Sequence, residues 1–145
     1  MKLIEVKTRA QERAFLDVAR EIYKADPVWV CPLDKTIAGI FDSKKNIFFR
    51  QGEACRWILR NDQGKLIGRV AAFINRKKAF GYKQPTGGMG FFECINDQNA
   101  AFLLFDQCKE WLKTKGMEAM DGPINFGEND NFWGLLVEGF THPSF

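Results

Sequence analysis

The segment from residue 91 to residue 125 constrains the fold of this chain most strongly. Two short apolar stretches, 91–95 and 118–125, flank a region in which apolar residues recur at helical spacing. Asn96 or Asp97 can cap the start of this helix, and Gly116 can end it. A strand, a helix and a second strand in this order require a crossover, which favours a parallel strand pair. The stripe consists of Ala101, Leu104, Phe105, Cys108, Trp111 and Leu112.

The preceding residues predict a hairpin and a further strand–helix pair. Residues 3–6 suit a short strand, and Thr8 with Gln11 forms a capping-box pattern for a helix that ends before Pro27. Residues 33–50 predict a short helix and a loop, 54–60 and 65–75 a hairpin, and 81–88 a second loop. Successive strands favour antiparallel pairing, so we expect an α/β fold with a mixed, mostly antiparallel sheet and helices on both faces.

The composition indicates which classes of protein this chain can and cannot belong to. A chain of 145 residues with 46% hydrophobic and 27% charged residues is expected to form one globular domain, residues 1–145. The net charge of +3 permits an anionic ligand but does not argue for nucleic acid. The chain lacks both an apolar run of about 20 residues and a signal-peptide pattern, so we expect a cytoplasmic protein without a membrane partner. Four scattered cysteines and one histidine predict reduced, buried thiols and no metal site.

The element order, the hairpin GKLIGRVAAF and the terminal Gly139-Phe140 pair resemble the GCN5-related N-acetyltransferase (GNAT) superfamily. The stretches FDSKKNIFFRQGEACRWILR and DGPINFGENDNFWGLLVEGF resemble an uncharacterised bacterial group within it. Proteins of that group are longer, which suggests that this chain is an N-terminal fragment lacking the final strands of the fold. The remainder of the longer chain would then be its partner.

The resemblance implies a slot for the pantetheine arm of acetyl-CoA or another acyl-CoA, between two strands that splay apart. These strands would be 91–95 and 118–125, and Pro123 cannot donate a ladder hydrogen bond within the second. A β-bulge or an early strand end at Gly122-Pro123 is the alternative. In the family, an Arg/Gln-x-x-Gly-x-Gly/Ala motif grips the pyrophosphate at the following helix terminus.

That motif falls on Ile95, Gln98 and Ala100, of which only Ala100 matches. The amides of residues 98–101 remain available, but Asp97 brings a negative charge to the turn, and a purely capping role for Asp97 is favoured. The resemblance therefore implies a degenerate pyrophosphate loop. Its predicted cofactor-binding residues are Cys94, Ile95, Gln98, Asn99, Ala100 and Ala101, with no metal.

Catalytic residues are sparse. The position at which many members carry a proton-donating tyrosine is Leu135. Glu93 is the best candidate for a general base, followed by Glu128 and Asp130. The alternative for Glu93 is a solvent-facing residue, because Phe92 and Cys94 would face the other side of the strand. A polar substrate pocket is predicted at Asn125, Asn129 and Trp133, although these residues would equally suit a loop that caps the last helix.

Two functions follow from this interpretation. The first is an acyl-CoA-dependent N-acyltransferase acting on a small-molecule or amine acceptor. The alternative is a non-catalytic structural or ligand-binding half of a larger protein. The basic clusters Lys44-Lys45 and 76–78 are interpreted as solvated loop charge, although a cofactor 3′-phosphate or RNA could use them.

Overall fold

The computed structural model describes residues 1–81, 83–126, 137–139 and 141. Five strands form one sheet in the order β1-β2-β3-β4-β5. Pairing is antiparallel from β1 to β4 and parallel between β4 and β5, which confirms the predicted mixed α/β fold. The elements are β1 (Lys2–Glu5), α1 (Arg9–Tyr23), α2 (Asp34–Ile40), a 3-10 helix (Ile47–Arg50), β2 (Gly52–Arg60), β3 (Leu66–Asn75), α3 (Arg76–Ala79), β4 (Thr86–Cys94), α4 (Gln98–Thr114) and β5 (Ala119–Asp121).

The two long helices begin where their capping residues indicate. Thr8 accepts a hydrogen bond from the Gln11 amide, and the Gln11 side chain accepts one from the Thr8 amide, which completes the capping box of α1. Asp97 caps α4. After Lys115, Gly116 adopts a φ of 80°, the left-handed conformation that allows the chain to leave a helix sharply.

Each face of the sheet has its own hydrophobic cluster, as the amphipathic helices predict. On the α4 face, Leu104, Cys108 and Leu112 are buried against Val70 and Ile74. On the α1 face, buried side chains of the helix meet apolar residues of β2 and β3. The members of this second cluster are Ala14, Phe15, Val18, Ile58 and Ala71.

The glycine-rich stretch predicted as part of a loop is instead the first half of β4, which starts at Thr86. These positions lie where neighbouring groups leave no room for a side chain. A Cβ atom at Gly87 would lie 2.4 Å from Leu112, and one at Gly88 would lie 2.2 Å from Phe73. The glycines therefore serve close packing within a strand rather than turn formation.

The last strand is shorter than predicted. β5 comprises only Ala119–Asp121 and pairs with Thr86, Gly87 and Gly88 of β4. The chain leaves the ladder at Gly122-Pro123, which has a cis peptide bond. The early strand end, one of the two expected explanations for Pro123, is the one observed.

The prediction that all four cysteines are buried is wrong for Cys31, which is exposed because residues 29–33 run as irregular chain outside both clusters. The other three are half-buried or buried, and all four are free thiols. Burial raises the pKa of Cys94 to about 11 and the pKa of Cys55 and Cys108 to about 12. These three thiols are therefore protonated and unreactive at neutral pH.

Within the described ranges, no helix combines the length and the apolar character needed to cross a bilayer. Among the same residues, no group of three or more His, Cys, Asp or Glu side chains is arranged to hold a metal ion.

Candidate functional site

An opening in the sheet lies where β4 continues beyond its contacts with the chain that follows β5. Ile124 donates its amide hydrogen to the Met89 carbonyl over 2.9 Å, and its own carbonyl blocks the Cβ position of Gly90 at 1.8 Å. Beyond Gly90, the described residues supply no further ladder partner on that side of β4. β3 still pairs with the other side, with Glu93 opposite Arg69. Among the described residues, one edge of β4 from residue 91 to residue 94 therefore has no pairing partner.

A β-bulge precedes Glu93 and sets the direction of its side chain. Val70 of β3 faces two residues of β4, because the register shifts between the Arg69–Glu93 and Ala71–Gly90 pairs. Phe91 within this bulge has a φ of 53°, a conformation that bulky residues rarely adopt. Its ring packs 4.8 Å from the Phe41 ring on the α1 face. The extra residue re-aims the end of the strand, a common role of bulges near functional sites.

The α4 N-terminus lies at the end of this open edge. The Asp97 carboxylate accepts a hydrogen bond from the Ala100 amide over 2.9 Å, so it caps the helix. The amides of Gln98 and Asn99 donate no hydrogen bond to any residue in the described part of the chain. Two open donors and the positive end of the helix dipole therefore remain beside one carboxylate.

The predicted cofactor-binding residues lie on both sides of the turn between β4 and α4. Cys94 ends β4, Ile95 follows it, and residues 98–101 make the first turn of α4. Ala100 is fully buried and belongs to the core, so it can contribute only its backbone. Ile95 is 37% exposed.

Glu93 is held by two residues that the sequence analysis did not identify. The Tyr23 hydroxyl donates to Glu93 Oε2 over 2.5 Å, and Arg69 Nη2 lies 3.5 Å from Glu93 Oε1. Arg69 Nη1 donates to the Phe15 carbonyl over 2.9 Å, and the guanidinium lies 5.0 Å from the centre of the Phe15 ring. The interpretation of Glu93 as a fully solvent-facing residue is therefore wrong, because contacts from α1 and β3 leave only 21% of its side chain exposed. Phe92 and Cys94 do face the opposite side, as the strand alternation predicts.

Arg69 is the buried charge that holds this cluster in place. Its side chain is only 5% exposed, and burial lowers its pKa while the charge of Glu93 acts in the opposite direction. Its Nε atom has no hydrogen-bond partner among the described residues. A lone arginine within the apolar run GRVAAF was the sequence signal that could have identified it, since buried arginines normally have partners.

Tyr23 keeps its proton in this environment. Burial is the main cause that raises the pKa of the Tyr23 hydroxyl, and the nearby Glu93 carboxylate raises it further. The group therefore acts as a hydrogen-bond donor at neutral pH. No sequence pattern linked Tyr23 at the end of α1 to Glu93, which lies 70 positions later in the chain.

Of the predicted substrate pocket, the structure describes only one residue. Asn125 is half-buried between Ile124, which contacts Met89, and Phe126, whose ring lies 5.2 Å from the Phe73 ring. Asn129 and Trp133 lie outside the described residues, as do Glu128, Asp130 and Leu135.

No protein-family model matches the chain. Among curated proteins, it is 32% identical to the bacterial ceramide synthase of Caulobacter vibrioides over 148 residues, which cover 99% of this chain and 37% of that protein. It is 27% identical to Protein YghO of Escherichia coli, over 90% of this chain and 33% of that protein. The chain thus spans about a third of the length of the curated relatives it matches.

Solved acetyltransferases share the architecture. A predicted acetyltransferase from Clostridium acetobutylicum, solved with acetyl-CoA, superimposes with a TM-score of 0.60 over 94% of this chain and 96% of that chain, at 12% identity. AAC(6')-Iy, in complex with a bisubstrate analogue that contains CoA, gives a TM-score of 0.56 at 14% identity, over 86% of this chain and 81% of that chain. The chain therefore has the fold of the GNAT superfamily.

Proposed function

We propose that this domain binds acyl-CoA in the opening beside β4 and belongs to an N-acyltransferase in which Glu93 is the general base. One observation carries the proposal. Within the part of the chain that the structure describes, β4 extends beyond its last contact with Ile124. Its unpaired edge there leads from Glu93 to the amides of Gln98 and Asn99, which donate to no described residue.

The opening suits the amide-bearing arm of acyl-CoA better than it suits the diphosphate. An open strand edge offers backbone N–H and C=O groups to an amide-bearing arm, as an additional strand would use them. The helix terminus offers two amides to a diphosphate. Asp97 opposes this second contact, because two like charges about 4 Å apart repel by roughly 1 kcal/mol even in water. We therefore expect the arm to supply most of the binding energy.

Acyl-CoA supplies an acyl group that is activated as a thioester. When an amine attacks the thioester carbon, the C–S bond breaks and CoA leaves as a thiolate that takes up a proton from solvent. Glu93 is placed to accept the proton that the amine loses, because 21% of its side-chain surface remains exposed. Arg69 Nη2, 3.5 Å from Glu93 Oε1, places a positive charge beside this carboxylate. Together with the hydrogen bond from Tyr23, the ion pair fixes the orientation of Glu93.

The reaction and the name of one relative together indicate the chemical class of the acceptor. A ceramide is an amide formed by acylation of an amine, so the name of the Caulobacter relative belongs to the same reaction class. The acceptor of the whole protein would be an amine. The alternative function, a non-catalytic ligand-binding half of a larger protein, is favoured by Asp97, which occupies the helix terminus with a carboxylate.

Ligand-induced stabilisation tests cofactor binding directly. Acetyl-CoA or CoA at 100 times its dissociation constant should raise the free energy of unfolding by about 2.7 kcal/mol, measured by thermal shift. Asp97→Asn should bind more tightly, since asparagine caps helices as well as aspartate but carries no charge. Asp106→Asn, on the exposed surface of the same helix, is the matched control and should leave binding unchanged. The absence of any shift at millimolar ligand would contradict the proposal.

A second measurement separates binding from chemistry. Glu93→Gln should keep CoA affinity within about twofold while lowering the rate of amine acylation by roughly 100-fold or more. Wild-type protein that binds CoA but acylates no amine would support the non-catalytic alternative instead.

A further inference from the structure

The end of the sheet opposite the candidate site carries a cluster of basic side chains. β3 ends at Asn75, α3 follows immediately, and the chain re-enters the sheet at Thr86. Because β4 is nine residues long, at about 3.3 Å per residue this end lies roughly 25 Å from Cys94. A cofactor phosphate at the α4 N-terminus is therefore out of reach of residues 76–78, which removes one role that the sequence left open for them.

Four cations at this end have no acidic partner in the part of the chain that the structure describes. Arg50, Lys77, Lys78 and Lys83 are exposed, and no carboxylate of the described residues forms an ion pair with them. Arg50 belongs to the same surface because the neighbouring Gln51 carbonyl accepts the Arg76 amide over 2.8 Å. Such an excess of one charge is unusual in this chain, whose other basic residues mostly have acidic partners.

Two nearby cations do have an acidic partner, but it is the same one. Arg76 and Lys115 share a single carboxylate, Glu53, at 2.7 and 2.6 Å. These three residues therefore add one further positive charge to this end. Glu118, whose amide donates to the Pro85 carbonyl over 2.8 Å, lies at the same end and offsets one charge. The excess that remains is +4, against a net charge of +3 for the whole chain.

Two large apolar side chains are exposed among these cations. Phe80, directly after α3, is 55% exposed, and Ile47 is 64% exposed. Ile47 and Arg50 lie on the same side of their 3-10 helix, because residues three apart are eclipsed in that conformation. Exposed aromatic and aliphatic groups surrounded by lysine and arginine are typical of surfaces that enter the headgroup region of a bilayer.

We propose that this end of the domain binds peripherally to an anionic lipid bilayer. Lysine and arginine would contact the lipid phosphates, while Phe80 and Ile47 would enter the boundary between headgroups and acyl chains. The residues involved, hereafter the basic surface, are Ile47, Arg50, Lys77, Lys78, Phe80 and Lys83. This inference is independent of acyl-CoA binding, and it revises the expectation that the protein has no membrane partner.

The number of cations predicts the strength and character of binding. Each lysine or arginine close to an anionic membrane should contribute about a fivefold gain in partitioning. The attraction should weaken steeply with salt, because the Debye length falls to a few ångströms at about 1 M. An apolar contribution from Phe80 should persist after the charges are screened.

Co-sedimentation with vesicles tests the proposal on the chain as it exists. Binding is expected to phosphatidylcholine vesicles that contain phosphatidylglycerol and not to phosphatidylcholine alone. Lys77→Gln with Lys78→Gln should weaken it by about 30-fold. Lys109→Gln with Lys113→Gln is the matched control: these lysines pair with Asp106 and Glu110, and their removal should change binding by less than twofold. Phe80→Ser should weaken binding severalfold, with the fold checked by circular dichroism.

Three outcomes would overturn the proposal. Wild-type protein that stays in the supernatant with anionic vesicles has no such surface. Equal losses in the two lysine pairs would show that only net charge matters. Binding to single-stranded RNA without binding to vesicles would assign the basic surface to nucleic acid.

Discussion

The two faces of the sheet are packed by different chemistry. The α4 face is an apolar core in which the Trp57 and Trp111 rings meet edge to face at 6.2 Å and Phe92 stacks on Phe105 at 4.6 Å. The α1 face has aromatic rings too, but it encloses guanidinium groups among them. Arg56 lies 4.5 Å from the centre of the Phe41 ring. Arg69 lies against Phe15.

This difference separates a face that only packs from a face that also holds charged groups. Burial of a guanidinium is unfavourable unless ion pairs and hydrogen bonds replace its hydration, and an apolar side chain would pack the same space at no such cost. The chain nevertheless retains Arg69 under α1, next to Glu93. The α4 face therefore provides stability, whereas the α1 face orients charged groups beside the opening in the sheet.

A truncation in the apolar face should have the largest effect. Leu104 is fully buried between α4 and the sheet, so Leu104→Ala should lower the free energy of unfolding by about 3 kcal/mol, through lost burial and a residual cavity. Urea denaturation measures this change. Phe102→Ala, at a position of the same helix that is 53% exposed, is the control and should cost less than about 1 kcal/mol. Similar losses at the two positions would show that α4 is not packed as described.

Removal of the buried charge on the other face should cost somewhat less. Arg69→Met leaves Glu93 without its cation and should destabilise the fold by about 2 kcal/mol, below the 3–5 kcal/mol typical of fully buried pairs because Glu93 is partly exposed. The double variant with Glu93→Gln should recover a large part of that loss. Additive losses in this cycle, again measured by urea denaturation, would contradict the coupling of the two groups.

Alkaline pH should weaken both faces, but over different ranges. Burial raises the pKa of Cys108 from 9.0 to about 12, so its contribution to stability is complete below pH 9 and is lost as the pH rises toward 12. The pKa of Tyr23 is raised above 10.0, so the loss from this residue begins only above pH 10. Stability measured against pH should decline less in Cys108→Ala from pH 9 upward. In Tyr23→Phe it should decline less only above pH 10; identical profiles in all three proteins would refute both assignments.

Sequence patterns predicted the helices and strands but not the distant residues that their side chains contact. The capping box at Thr8, the stripe on α4 and the strand–helix–strand order are local signals, and the structure confirms each of them. The predicted loop 81–88 is wrong only for residues 86–88, which belong to β4, because glycine can serve close packing in a strand as well as a turn. Only the position of Phe73 on the neighbouring strand shows that Gly88 serves close packing.

At the candidate site, too, the sequence identified a local feature but not the contacts made by distant residues. Glu93 could be selected as a carboxylate on the strand that borders the expected slot. Its partners could not, because Tyr23 and Arg69 approach it from α1 and β3 across sequence separations of 70 and 24 residues. The role of Asp97 could be predicted from the sequence, because helix capping depends only on neighbouring residues.

The sequence by itself determined the layered α/β class of this domain, the faces of its helices and their start points, because hydrophobic periodicity and capping act over a few neighbouring residues. The tertiary structure alone decided that β4 extends beyond its last partner among the described residues and that a bulge turns Glu93 toward α1. It also brings together, at the opposite end of the sheet, cations that pair with no described carboxylate. These features depend on strand register and on which distant residues become neighbours. The folded chain sets both through long-range packing, which no local pattern in the sequence records.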